Sequence, residues 1–100
     1  MGRVSALLAA LLLGACVQPS PPNDCAQRLA VARDLAALHQ YGGDMEAHIR
    51  SLGTKGASAA ELADYRDMAV RLRPVPRLAG DGGREMGIEA GLAELNLTCP

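Results

Sequence analysis

The stretch Asp24-Cys25-Ala26-Gln27-Arg28-Leu29-Ala30-Val31-Ala32-Arg33-Asp34-Leu35-Ala36-Ala37-Leu38-His39-Gln40-Tyr41 decides the fold. At about 100° per residue, Cys25, Leu29, Val31, Ala32, Leu35, Ala36 and Leu38 fill one broad apolar side. Gln27, Arg33 and Asp34 lie opposite. Asn23 or Asp24 is the expected N-cap, and Gly42-Gly43 is the expected stop. Arg28 falls inside the apolar arc, where its stem can lie along the surface while its head points outward. An amphipathic helix of this kind must bury its apolar side against other elements.

The residues that follow supply them. Asp44 caps a short helix from Met45 to about Leu52, ended by Gly53, with Gly53-Thr54-Lys55-Gly56-Ala57 as a loop. Ser58-Ala59-Ala60-Glu61 reads as a capping box, in which Ser58 and Glu61 satisfy each other's backbone N–H groups. The helix it starts carries Leu62, Tyr65, Ala69 and Leu72 on one face, with Met68 beside them. Pro74 stops it, because the residue before a proline is disfavoured in the helical region. Arg73-Pro74-Val75-Pro76-Arg77 is then a stiff extended connector, and Gly80-Asp81-Gly82-Gly83 a turn.

A last helix is expected from that turn to about Asn96. Gly87 and Gly91 each cost it about 1 kcal/mol relative to Ala. Gly83, Gly87 and Gly91 nevertheless recur every fourth residue, which forms a smooth stripe that a neighbouring backbone can approach. The alanine-rich first helix is the natural neighbour. The chain shows neither strand-like alternation nor an internal repeat. The expected fold is all-α, a small bundle of about four short helices.

Upstream, Arg3 and the α-amino group precede an apolar run from Val4 to Leu13. The run is about half the roughly 20 residues that a bilayer span needs, and it suits the apolar core of a secretory signal peptide. Leu13 is too bulky for an ordinary signal peptidase site three residues before the cut. Leu13-Gly14-Ala15-Cys16 resembles instead the lipobox of bacterial lipoproteins, with Gly14 a less common choice at its position. The resemblance covers the first sixteen residues. It implies cleavage between Ala15 and Cys16, a diacylglyceryl group on the Cys16 sulfur, and fatty acid such as palmitate on the new amino terminus. N-myristoylation is excluded, since Ala6 stands where that motif needs Ser or Thr.

This reading divides the chain into a removed leader (1–15), a lipidated cysteine with a proline-rich tether (16–23) and a helical domain (24–100). Pro19, Pro21 and Pro22 favour extended polyproline II at about 3.1 Å per residue, which gives a reach of roughly 20 Å. Assigning Cys16 to lipid leaves Cys25 and Cys99 as an even pair in an oxidising compartment, where a disulfide bond is expected. That bond would join the start of the first helix to the end of the last and make them antiparallel. A domain this small, with no Phe and no Trp, is short of large apolar side chains and gains from such a staple.

Charge and motifs exclude several functions. Ten basic residues face eleven acidic ones, and loss of Arg3 with the leader takes the formal net charge from −1 to −2. Without a basic excess, and with two Tyr as the only aromatic residues, nucleic-acid binding is not expected. Gly80-Asp81-Gly82-Gly83 lacks the Gly-Lys-Ser/Thr ending of a phosphate-cradling P-loop. No serine stands in a Gly-x-Ser-x-Gly context and no Cys-x-x-Cys occurs, so no catalytic residue, cofactor or small-molecule substrate is indicated. His39, His48, Asp44 and Glu46 form the one cluster with metal-ligand chemistry, at spacings that match no standard zinc motif. Arg66, Arg71, Arg73 and Arg77, interleaved with Asp64 and Asp67, read as the solvated end of a helix or as a face for an anionic surface or partner.

The functional expectation is a small membrane-anchored lipoprotein, not an enzyme, that is an accessory, structural or partner-binding component of the cell envelope. Its expected partner is an envelope protein, with Leu62, Tyr65 and Leu72 as the candidate surface if the core does not take them. Val17 follows the lipidated cysteine, and a non-Asp residue there implies the cell outer membrane, facing the periplasm. The alternatives are a phage- or plasmid-derived lysis or exclusion lipoprotein of the spanin kind and a divalent-metal-binding periplasmic lipoprotein. The prolines are few for a spanin subunit.

Overall fold

The computed structural model describes residues 24–97 and Cys99. Within them the chain forms helices α1 (Asp24–Tyr41), α2 (Met45–Thr54), α3 (Ala59–Leu72) and α4 (Gly80–Leu95), and no described residue is in a strand. The all-α bundle expected from the sequence is the observed fold. The leader, Ala15, Cys16, the tether and Asn23 lie outside the described residues.

Local chemistry sets the boundaries. Gly42, at φ 78°, ends α1, and the Gly43 N–H bonds back to the Leu38 carbonyl at 2.7 Å. The Asp44 side chain accepts from the Ala47 N–H at 3.0 Å and caps α2. The α3 capping box is complete: Glu61 N–H donates to Ser58 Oγ at 3.1 Å, and Ser58 N–H donates to Glu61 Oε1 at 2.8 Å. Ser58→Ala is expected to lower stability by about 1 kcal/mol, read as a shift of the urea midpoint with unchanged slope.

Three expectations are corrected. Arg73 keeps helical angles (φ −55°, ψ −40°) although it precedes Pro74, and the Val75 N–H turns back to the Leu72 carbonyl at 3.0 Å, so the connector opens with a turn rather than an extended run. Gly53 does not stop α2, which runs on to Thr54. Gly53 instead gives room to Leu62 on α3, whose Cδ1 would stand 3.2 Å from a Cβ there. Gly80-Asp81-Gly82-Gly83 is not a free turn but the first turn of α4. Gly80, at φ 78°, swings the chain into the helix, and Leu78 folds back over the bare Cα of Gly83. Asp81 in this first turn complements the helix dipole.

Helix α1 is the central element and touches the other three, while α2 packs on α1 and α3. Its inner face, Val31, Ala32, Leu35 and Ala36, is buried, and small side chains there keep the helix thin. Antiparallel α4 answers with glycine: a Cβ on Gly91 would stand 2.8 Å from Leu72 Cδ2 and 3.3 Å from Ala36 Cβ. Ala36 thus lies beside Gly91 and Gln40 beside Gly87, one helix rising as the other falls. The Cys25–Cys99 disulfide, with Cα atoms 5.7 Å apart, ties the outer ends of the same pair. From α3, Tyr65, Met68, Ala69 and Leu72 close the core, joined by Ile49 of α2 and by Ile88, Leu92 and Leu95 of α4.

Arg28 does more than extend outward. Its Nε and Nη2 donate to the two carboxylate oxygens of Asp64 on α3, at 2.7 and 3.0 Å. This bond from Asp64 holds the guanidinium above its usual pKa. With side chains 41% and 33% exposed, the fork fixes the α1–α3 register more than it adds stability, about 1 kcal/mol at most.

Candidate functional site

The most elaborate polar construction lies at the end of α1 farthest from Cys25. The buried face of α1 continues at helical spacing from Ala32 and Ala36 to His39 and Gln40, which are 6% and 5% exposed. Two polar side chains are therefore carried into the interior and need partners there. The connector after α3 has the complementary need. Pro74 and Pro76 lack N–H groups and stop the helix, so the carbonyls of Val75 and Pro76 have no helical donor.

The two needs meet. Gln40 donates from Nε2 to the Pro76 carbonyl at 2.8 Å and accepts the Leu78 N–H on Oε1 at 2.9 Å, as a neighbouring strand would. His39 Nε2 lies 2.7 Å from the Val75 carbonyl, and because a carbonyl only accepts, Nε2 carries the proton. Arg77 Nε in turn donates to the His39 carbonyl at 2.7 Å. Residues 75–78 are thereby strapped across the end of α1 (three side chains and one backbone N–H supply the bonds). Gly87 closes the far side, where a Cβ would overlap the Gln40 amide. Outside the strap is a shallow groove lined by His39, Met45, Arg73, Pro74, Val75, Pro76 and Arg77.

A second groove runs between α1 and α2 over Ala37, Leu38 and Tyr41, edged by Asp34 and His48. His48 Nε2 is enclosed, 3.7 Å from Asp34 Oδ2. Tyr41 is 57% exposed, and the Arg84 guanidinium lies 4.6 Å from the centre of its ring.

The structure disperses the metal-ligand candidates. His39 is committed to Val75 and Asp44 to the α2 cap, His48 Nε2 lies 3.7 Å from Asp34 Oδ2 without a hydrogen bond, and Glu46 lies 3.9 Å from Arg66. Among the described residues no three His, Cys, Asp or Glu side chains are placed to hold a metal ion. The candidate partner surface is corrected as well. Tyr65 and Leu72 are 2% and 0% exposed, and Leu62 is half-buried against Gly53, so the core takes the whole stripe. A single apolar face on a short helix in a four-helix domain has no surplus to offer a partner.

The arginine group splits in two. Arg66 and Arg71 pair with Glu46 and Asp67, both at 3.9 Å, and Arg71 Nη2 also donates to the Glu94 carbonyl at 3.0 Å. Arg73, at the end of α3, and Arg77, on the strap, have no carboxylate within 4 Å among the described residues. Sequence reading did not single out Gln40, and it considered His39 only as a solvated side chain or a metal-ligand candidate. The available signal was position, since both fall on the apolar arc of α1, where a polar residue implies a buried partner. No protein-family model, curated protein or solved structure matches this chain.

Proposed function

We propose that the protein is a small bacterial lipoprotein, anchored by lipid on Cys16, whose helical domain binds a partner protein of the cell envelope without catalysis. The observation that carries this reading is Leu13-Gly14-Ala15-Cys16 at the end of a short apolar run behind Arg3. The cysteine partition supports it: Cys25 is joined to Cys99, which leaves Cys16 for the lipid. In this reading residues 16–23 space the domain from the outer membrane, the side assigned by Val17, and the domain faces the periplasm. The envelope partner meets exposed helix faces rather than the Leu62, Tyr65 and Leu72 stripe, which packs into the core.

The direct test is metabolic labelling with radioactive palmitate in a bacterial host. The wild-type chain is expected to incorporate label and to shorten by the leader. Cys16→Ser is expected to lose the label and accumulate precursor. Label retained by Cys16→Ser would overturn the anchor. In-cell crosslinking of the lipidated protein, read by mass spectrometry, identifies the partner.

A further inference from the structure

We propose that the groove between the end of α1 and residues 73–77 is an anion site for a phosphate group, held by the guanidinium forks of Arg73 and Arg77. The first reason is charge. Arg28, Arg33, Arg66, Arg71 and Arg84 each have a carboxylate within 4 Å. Among the described residues Arg73 and Arg77 have none, yet they line one groove whose other walls are His39, Met45, Pro74, Val75 and Pro76. Among the described residues no carboxylate lines it. Two cations thus share a concave surface with no carboxylate partner among the described residues.

The ends of α1 and α3 face the same region and bring negative dipole ends. Each is equivalent to about half a charge, so two full positive charges leave a surplus of about one. Those ends are also largely satisfied from within. His39 O accepts from Gly42 N and Arg77 Nε, Leu38 O from Gly43 N, Ala69 O from Arg73 N and Leu72 O from Val75 N.

The second reason is preorganisation. Two prolines fix the strap's φ angles, and His39 and Gln40 fix its carbonyls. The bond from Arg77 Nε to His39 O holds that guanidinium in place and leaves its Nη hydrogens for a ligand. Arg77 therefore needs little ordering on binding, and the ordering that remains falls on the exposed Arg73 side chain. The third reason is geometry. A planar carboxylate presents its acceptors in one plane, whereas the tetrahedral oxygens of a phosphate can meet two forks that approach from different sides. The source is either a soluble phosphate compound or a phospholipid head group. The site does not depend on the lipidation of Cys16.

The test is a titration of the disulfide-bonded, ¹⁵N-labelled protein with inorganic phosphate at constant ionic strength. Saturable shifts are expected at the amides of Arg73, Val75, Arg77 and Leu78. Arg73→Gln is expected to weaken binding about tenfold with an unchanged melting temperature, and Arg73→Lys to restore part of it. Arg50→Gln, which removes an unpaired cation outside the groove, is expected to change nothing. Cosedimentation with phosphatidylglycerol-containing vesicles but not with phosphatidylcholine alone, lost in Arg73→Gln, assigns a head group. Saturation by phosphate without cosedimentation assigns a soluble ligand. Shifts that stay linear and spread equally to Arg50 and Lys55 would overturn the site, as would unchanged affinity in Arg73→Gln. Acetate binding as tightly as phosphate would overturn the phosphate assignment.

Discussion

Replacing Cys25 and Cys99 together by serine is expected to cost about 4.5 kcal/mol, the chain-entropy value for a loop closed across a sequence separation of 74. Domains of this size are stable by only about 5–15 kcal/mol, so the staple supplies much of the margin. The melting temperature should fall by roughly 20 °C or more. Urea denaturation of the oxidised protein against the double variant measures the loss, and dithiothreitol added to the wild type should reproduce it. The double variant is the right comparison because a single substitution leaves a thiol free to form intermolecular bonds. A loss under about 1 kcal/mol would mean that α1 and α4 hold each other without the bond. Lipid attachment should be untouched.

The second large effect is expected at Gly87. Any side chain there enters the space of the Gln40 amide, which is held from two directions by Pro76 O and Leu78 N. Displacing that amide breaks both bonds and leaves buried polar groups unpaired, at about 1–3 kcal/mol each, while overpacking adds a similar amount. The gain in helix propensity returns only about 1 kcal/mol. Gly87→Leu should therefore destabilise by about 3–4 kcal/mol and shift the Leu78 amide resonance. Gly82 provides the contrast. Nothing lies within 4 Å of a Cβ there, so Gly82→Ala should be neutral or stabilising by up to about 1 kcal/mol. Adding a side chain to glycine thus has opposite signs at two positions of α4 five residues apart. Equal effects at both positions would show that propensity, not contact with Gln40, decides the cost.

Much of the bundle was legible because local signals and periodicity agree. Asp44, Ser58 and Glu61 cap where their chemistry says they should. The apolar positions of α1 and α3 are the buried ones. The parity of the cysteines and the four-residue spacing of glycines both pointed to an antiparallel α1–α4 pair, and that pair is present. The functional side was less legible. His39, Asp44, Glu46 and His48 have ligand chemistry by composition, but each is drawn to a different neighbour. Leu62, Tyr65 and Leu72 are the same apolar stripe whether it faces a core or a partner, and only the folded chain says which.

The sequence by itself determined the four helices, the caps of α2 and α3 and the staple. Each of these is written in residues a few positions apart or in a count of cysteines. The tertiary structure alone decided that Gly80–Gly83 opens α4, that Leu62, Tyr65 and Leu72 belong to the core, and that His39 and Gln40 hold residues 75–78. The physical reason is the range of the interactions. A cap or a face is set within one or two turns, whereas Gln40 meets Leu78 across 38 residues and Gly87 across the bundle. Such pairings are fixed by which buried polar groups are left to satisfy once the helices pack, and no local pattern encodes that.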